Sequence, residues 1–131
     1  MNRKAAILTV WCYASLCGTK PVDPIATILP AIEAVESGGN PNAIGDSGKA
    51  VGILQLHTIM VDDCNRIVGE TRWTYADRSS QSKSEAMFRV YSEHYSPSSS
   101  FETIARRWNG GPKGDRKPST LPYWKKVKAH L

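Results

Sequence analysis

The 131 residues fit one domain, since single domains usually run about 100 to 150 residues. Hydrophobic residues at 40%, charged at 22% and aromatic at 8% are the proportions of an ordinary globular chain, which excludes the disordered, collagenous and polytopic membrane classes. The net charge of +5 is unevenly placed: residues 106–131 carry eight Lys and Arg against the single acid Asp115, so the 105 residues before them sum to −2.

Met1-Asn2-Arg3-Lys4 is a short cationic start that leads into a mostly apolar run from Ala5 to Leu16. A bilayer-spanning helix needs about 20 apolar residues, so this run is too short for an anchor and has the profile of a cleaved export signal. The expectation is a signal peptide over residues 1–18, cut near residue 17 or 18, and a mature domain over 19–131 exported to the periplasm or cell envelope. The alternative is a buried N-terminal helix or strand. Removal of the leader takes Cys12 and Cys17 with it, and Cys64 alone forms no internal disulfide. His57, His94 and His130 stand at no zinc spacing, so no structural metal is expected.

Beyond the leader the pattern is helical, with Gly, Pro and Ser loops between segments. Asp23-Pro24 reads as an N-cap followed by Pro at the first helical position, and Ile25, Ile28, Leu29, Ile32 and Val35 then recur at one-face spacing. Pro30 either kinks this helix or marks a start near Leu29. Ser37-Gly38-Gly39-Asn40-Pro41 ends it. Residues 42–49 read as a polar loop. Ala50 to Leu56 is apolar and either extended or the opening of a helix. His57 to Val68 is helical through Ile59 or Met60, Cys64 and Ile67. A loop runs from Gly69 to Ser82, and a helix from Ser84 to Tyr95 places Met87, Val90, Tyr91 and His94 on one side. After the loop Pro97 to Ser100, a helix from Phe101 to Trp108 stops at Asn109-Gly110-Gly111-Pro112. Pro122 to His130 forms the last helix. The sum is a mainly α, single compact helical domain with one short extended segment around 50–56.

Within the first helix, Glu36 falls at about 20° when Ile25 is set at 0°, inside the arc occupied by the apolar residues, whereas Glu33 at about 80° reads as a boundary charge. A carboxyl on a buried face needs a reason. Desolvation and the nearby helix C-terminus both raise its pKa, which suits a general acid; the bland alternative is a carboxylate that locks the Ser37 to Asn42 turn. Gln55 in Gly52-Ile53-Leu54-Gln55 and the pair Trp108-Asn109 before Gly110-Gly111 supply amides and an aromatic face beside glycines. Sugars are bound by such groups, although each is equally at home in capping or core packing.

Taken in order, Glu36-Ser37-Gly38-Gly39-Asn40-Pro41-Asn42-Ala43, Gly52-Ile53-Leu54-Gln55 and Asn109-Gly110-Gly111 resemble the lysozyme-like family of lytic transglycosylases, the soluble lytic transglycosylase domain, over about Ile25 to Val127. The resemblance implies a fold similar to goose-type lysozyme, Glu36 as the catalytic acid and base, and Ser37, Gln55, Trp108, Asn109 and Tyr123 as substrate-binding residues. The segment Tyr75 to Tyr95 departs from the family text, and Trp108 stands where Tyr is common. The implied reaction cleaves peptidoglycan between N-acetylmuramic acid and N-acetylglucosamine to give a 1,6-anhydro sugar, with neither metal nor organic cofactor. The implied partners are peptidoglycan glycan strands and the anionic cell wall, met by basic residues 106–128, with the protein a monomer. A hydrolytic lysozyme on the same fold would add a second carboxylate from Asp46, Asp62, Asp63 or Asp77, of which Asp62 and Asp63 read as exposed helix charges. A non-catalytic glycan-binding or virion structural protein and a nucleic-acid binder are the other readings; export weighs against nucleic acid.

Overall fold

Asp23 opens the first helix, α1 (Pro24–Ser37), by accepting hydrogen bonds on Oδ1 from the amides of Ile25 (3.1 Å) and Ala26 (3.3 Å). The computed structural model describes Gly18 and residues 20–131, so the expected leader, with Cys12 and Cys17, lies outside the described residues. Pro30 neither delays nor ends α1. It lacks the N–H that would bond Ala26, but both residues are exposed, so water can serve the freed carbonyl. Ile25, Ile28, Ala31 and Ile32 are buried, with Leu29 and Val35 packed beside them, close to the face read from the spacing.

The stretch expected as a polar loop is instead a small hairpin. β1 (Ile44–Gly45) pairs antiparallel with β2 (Ala50–Val51), Ile44 opposite Val51 and Gly45 opposite Ala50. Strands of two residues are too short to show alternation. Of the segment 50–56, only its two ends are extended: Leu56 bridges back to Val51, and Gly52 to Gln55 form a tight turn.

α2 (Thr58–Val68) buries Val61 and Cys64; of the pair Ile59 or Met60 expected on the apolar face, Met60 packs against the core and Ile59 is 75% exposed. Cys64 is a free buried thiol whose pKa burial pushes up to about 12, so it packs as a small apolar group. The loop after α2 contains a short 3-10 turn, Tyr75–Ser79, and buries Trp73. α3 (Gln81–Tyr95) starts three residues earlier than the spacing predicts, with Ser80 as N-cap. It turns Met87, Phe88 and Tyr91 inward and leaves His94 exposed. α4 (Phe101–Gly110) reaches two residues past Trp108, and α5 (Leu121–Lys128) closes the described chain. α1 packs on α3, α4 and α5, and the core of Ile28, Ile32, Leu54, Met87, Phe88, Ile104 and Val127 lies among them. The fold is mainly α, as its periodicity predicts.

Much of the basic C-terminal quarter holds the fold. Arg107 bonds the Asp115 carboxylate through Nε (3.0 Å) and a terminal nitrogen (3.2 Å) and donates to the Tyr95 carbonyl at 2.6 Å. Arg106 reaches Glu102, Thr120 and the Lys117 carbonyl, and Lys117 donates to the Gly110 carbonyl at 2.6 Å. Three of the eight cations expected to face a partner are therefore engaged in tying α4 to the turns that follow it.

Glu33 is more than a boundary charge. Its Oε1 is buried with no hydrogen-bond donor among the described residues, and burial together with the neighbouring Glu85 of α3 raises its pKa to about 7. A carboxyl raised in the folded state favours folding least when ionised, so stability falls as pH climbs from the ordinary carboxyl range through about 7. After allowance for solvent screening, Glu33→Gln should add about 1 kcal/mol at pH 8 and nothing at pH 4. Urea unfolding at the two pH values measures this; equal gains at both would show that the acid pair is irrelevant.

Candidate active site

The end of α1 delivers Glu36 to the wall of a cleft of about 690 Å³, also lined by Leu54, Gln55 and Leu56 from the turn after β2, His57 before α2, Trp108 and Asn109 from α4, and a face of α2. The helix spacing that put Glu36 among apolar residues does place it there, largely buried yet reaching the cleft. Its Oε1 accepts a hydrogen bond from the Tyr123 hydroxyl at 2.9 Å. Burial raises the Glu36 pKa above its ordinary value, opposed first by the hydrogen bond from Tyr123 and less by the neighbouring Trp108 indole. Tyr123 is itself pushed up, first by burial and then by the carboxylate beside it, so it stays a donor.

Trp108 is held by edge contacts to Phe88 (4.8 Å between ring centroids) and Tyr91 (5.4 Å), which fixes its indole against the cleft. Asn109 is exposed at the cleft wall, where its amide is open to a ligand. Gln55 reaches the same wall, but its side-chain amide donates to the carbonyls of Ala43 (3.1 Å) and Gly52 (2.9 Å), so it braces the hairpin as well. Its backbone sits at φ 50, one of four positive-φ non-glycine residues among those described. Ser37 does not line the cleft. Its hydroxyl donates to the Ile53 carbonyl at 2.6 Å and accepts from the Asn40 amide at 3.1 Å, which fastens the end of α1 to the turn carrying Gln55. Tyr123 acts on Glu36 and is not among the lining residues.

Sequence reasoning names Asp62 and Asp63 only as possible second carboxylates and reads them as exposed helix charge; it does not foresee that α2 walls the cleft. Ile59, Met60, Asp62, Asp63 and Arg66 all line the cleft. Asp62 accepts from the Tyr75 hydroxyl on both oxygens, at 2.9 and 3.1 Å. Asp63 accepts from Arg66 at 2.6 Å and from the Tyr95 hydroxyl at 2.8 Å. An Asp-Asp pair on a helix looks like solvent-facing charge, and no sequence signal set these residues apart; in the structure Ile59 beside them is 75% exposed. His57 stands at the cleft with Asp46 3.3 Å from its Nε2, an exposed pair at the hairpin tip. Thus the structure gathers Glu36, Gln55, Trp108, Asn109 and, behind Glu36, Tyr123, from stretches far apart in sequence. No protein-family model matches the chain and no curated protein matches it either, which leaves the geometry around Glu36 as the ground for a functional reading.

Proposed function

We infer that the protein is a lytic transglycosylase of lysozyme-like fold that cleaves peptidoglycan between N-acetylmuramic acid and N-acetylglucosamine. The observation that carries this reading is a largely buried carboxyl with a raised pKa on the wall of an open cleft, aimed by a tyrosine hydroxyl. Such a group is protonated where an exposed carboxylate would be charged, so it can donate a proton to the leaving oxygen. As the C1–O4 bond breaks, Glu36 gives its proton to the N-acetylglucosamine oxygen. The carboxylate then takes the proton of the muramic C6 hydroxyl as that oxygen bonds C1, closing the 1,6-anhydro ring and restoring the acid. The Tyr123 hydrogen bond steadies the carboxylate between the two transfers. Trp108, 7% exposed and part of the core, gives the cleft an apolar wall, and Asn109 offers an amide to the sugar's acetamido group. The reaction takes place in the periplasm or cell envelope. The anionic wall is met by Lys113, Arg116, Lys125, Lys126 and Lys128, all exposed.

One observation favours a second reading, hydrolysis: Asp62 and Asp63 share the cleft with Glu36, and a second carboxylate could activate water. Both are already hydrogen-bonded, Asp62 by Tyr75 and Asp63 by Arg66 and Tyr95. Digestion of purified peptidoglycan with the products weighed separates the two. The transglycosylase product carries an anhydro end and is lighter by one water; hydrated ends alone would replace the first reading by the second.

A further inference from the structure

No motif points to Arg78, which lies in the stretch from Tyr75 to Tyr95 whose text departs from the family the motifs resemble. It stands in the 3-10 turn Tyr75–Ser79, half-buried, and three backbone carbonyls converge on its guanidinium. Nε donates to Tyr75 at 2.8 Å, and one terminal nitrogen donates to both Lys49 (3.1 Å) and Leu56 (3.2 Å). The Tyr75 bond is local and aims the side chain. The other two reach back 29 and 22 positions, to the residues that bracket β2 and the Gly52–Gln55 turn.

That turn has little of its own to hold it. β2 is two residues long, and beyond it the chain closes on itself through the paired backbone bonds of Val51 and Leu56, at 3.1 and 3.0 Å. Gln55 has φ 50, a left-handed backbone that a residue with a Cβ keeps only where its surroundings over-determine it. Its side-chain amide is occupied by the carbonyls of Ala43 and Gly52, so its place on the cleft wall follows the conformation of the turn. His57, the residue after the gripped Leu56, lines the cleft too. Arg78 is itself well anchored. Its carbonyl accepts from the buried Ser84 hydroxyl of α3 at 3.0 Å and lies so close to Gly52 that a Cβ there has no room. A planar fork with several N–H groups can serve three carbonyls at once, whereas an ammonium is a point donor on a flexible stem.

We propose that Arg78 is a positioning residue of the active site: by gripping the carbonyls on both sides of the Gly52–Gln55 turn, it holds Gln55 where the glycan meets it. Arg78 is not among the residues that line the cleft, so it acts through Gln55. The proposal rests on the glycan reading above and deepens it, because substrate binding by Gln55 then depends on a residue outside the shared motifs. An arginine that only tied the loop to the hairpin would change stability and leave the affinity for glycan alone.

Two measurements on the full chain test this. On solubilised peptidoglycan strands, Arg78→Ala should raise KM about tenfold, with kcat changed less than about twofold and the pH profile that Glu36 sets unmoved. In the ligand-free protein, the side-chain amide resonances of Gln55 should shift or broaden in Arg78→Ala, while the resonances of Ile32 and Met87 in the core stay in place. Arg78→Lys, whose ammonium can reach one carbonyl, should fall between in both measurements, and it serves in place of the alanine variant if that variant does not fold. A loss of kcat at unchanged KM, or Gln55 resonances that stay in place, would overturn the positioning role and leave the glycan reading intact. Absence of cleavage by the protein without substitutions would overturn the glycan reading and this proposal with it.

Discussion

Glu36→Gln should lower the release of muropeptides from purified wall by about a thousandfold while leaving the unfolding temperature unchanged or slightly raised. The rate follows from general acid–base catalysis, which contributes about a hundredfold to ten-thousandfold and here rests on one group. The stability follows from burial: a neutral amide replaces a carboxyl that burial already drives toward its neutral form, and it can still accept from Tyr123. The pH profile carries the more searching test. In the proposed mechanism Glu36 acts first as an acid, and burial raises its pKa, so activity should persist above the ordinary carboxyl range and fail as pH rises through the folded value. Tyr123 opposes that shift by bonding the charged form. Tyr123→Phe should therefore move the alkaline limb to higher pH, along with a loss of rate. A limb that stays in place would mean that Glu36 is not the titrating acid, and one that moves down would mean that Tyr123 does not bond its charged form.

Gly52→Ala should damage the fold more than any substitution at the cleft. Gly52 has φ 86, and a Cβ there would collide with the backbone carbonyl oxygen of Arg78. Left-handed backbone costs a side chain about 1 to 2 kcal/mol, and forcing apart two packed backbones costs about 1 to 3 more. The expected loss is about 3 kcal/mol, or about 10 °C in Tm. Gly48→Ala supplies the control: its φ of 90 imposes the same strain, but nothing lies within 4 Å of the added carbon. It should cost only about 1 kcal/mol. Thermal unfolding of the two variants separates collision from conformation; equal Tm losses would show that the close approach to Arg78 is not what requires glycine at 52.

That contrast also shows what a motif can and cannot say. The glycine of Gly52-Ile53-Leu54-Gln55 reads as a place where backbone approaches ligand, and close approach is indeed its role, but to Arg78, whose guanidinium in turn donates to the carbonyls of Lys49 (3.1 Å) and Leu56 (3.2 Å). Helix periodicity made Glu36 legible, because the angle of one residue relative to Ile25, Ile28 and Ile32 is a local property. The hairpin was not legible, since two-residue strands carry no alternation, and Asp46 and Ser47 adopt left-handed backbone without a glycine signal of their own. Nor was the α2 wall, because Asp62, Asp63 and Arg66 read as solvent charge until Tyr75 and Tyr95 arrive from elsewhere in the chain. The pairing of Glu33 with Glu85 belongs to the same class: each acid is ordinary in its own helix, and only the packing of α1 on α3 makes them a pair.

The hydrogen bond between Tyr123 and Glu36 joins the first helix to the last across 87 positions of sequence. α5 is eight residues long and buries only Val127 fully, so it is the kind of element that opens locally at little free-energy cost. Such an opening would remove the donor that Glu36 accepts from while the remainder of the core stayed packed. On the proposed function, the first and last helices would thus form a fuse: release of α5 alone would silence the acid before the molecule as a whole came apart, and its return would restore it.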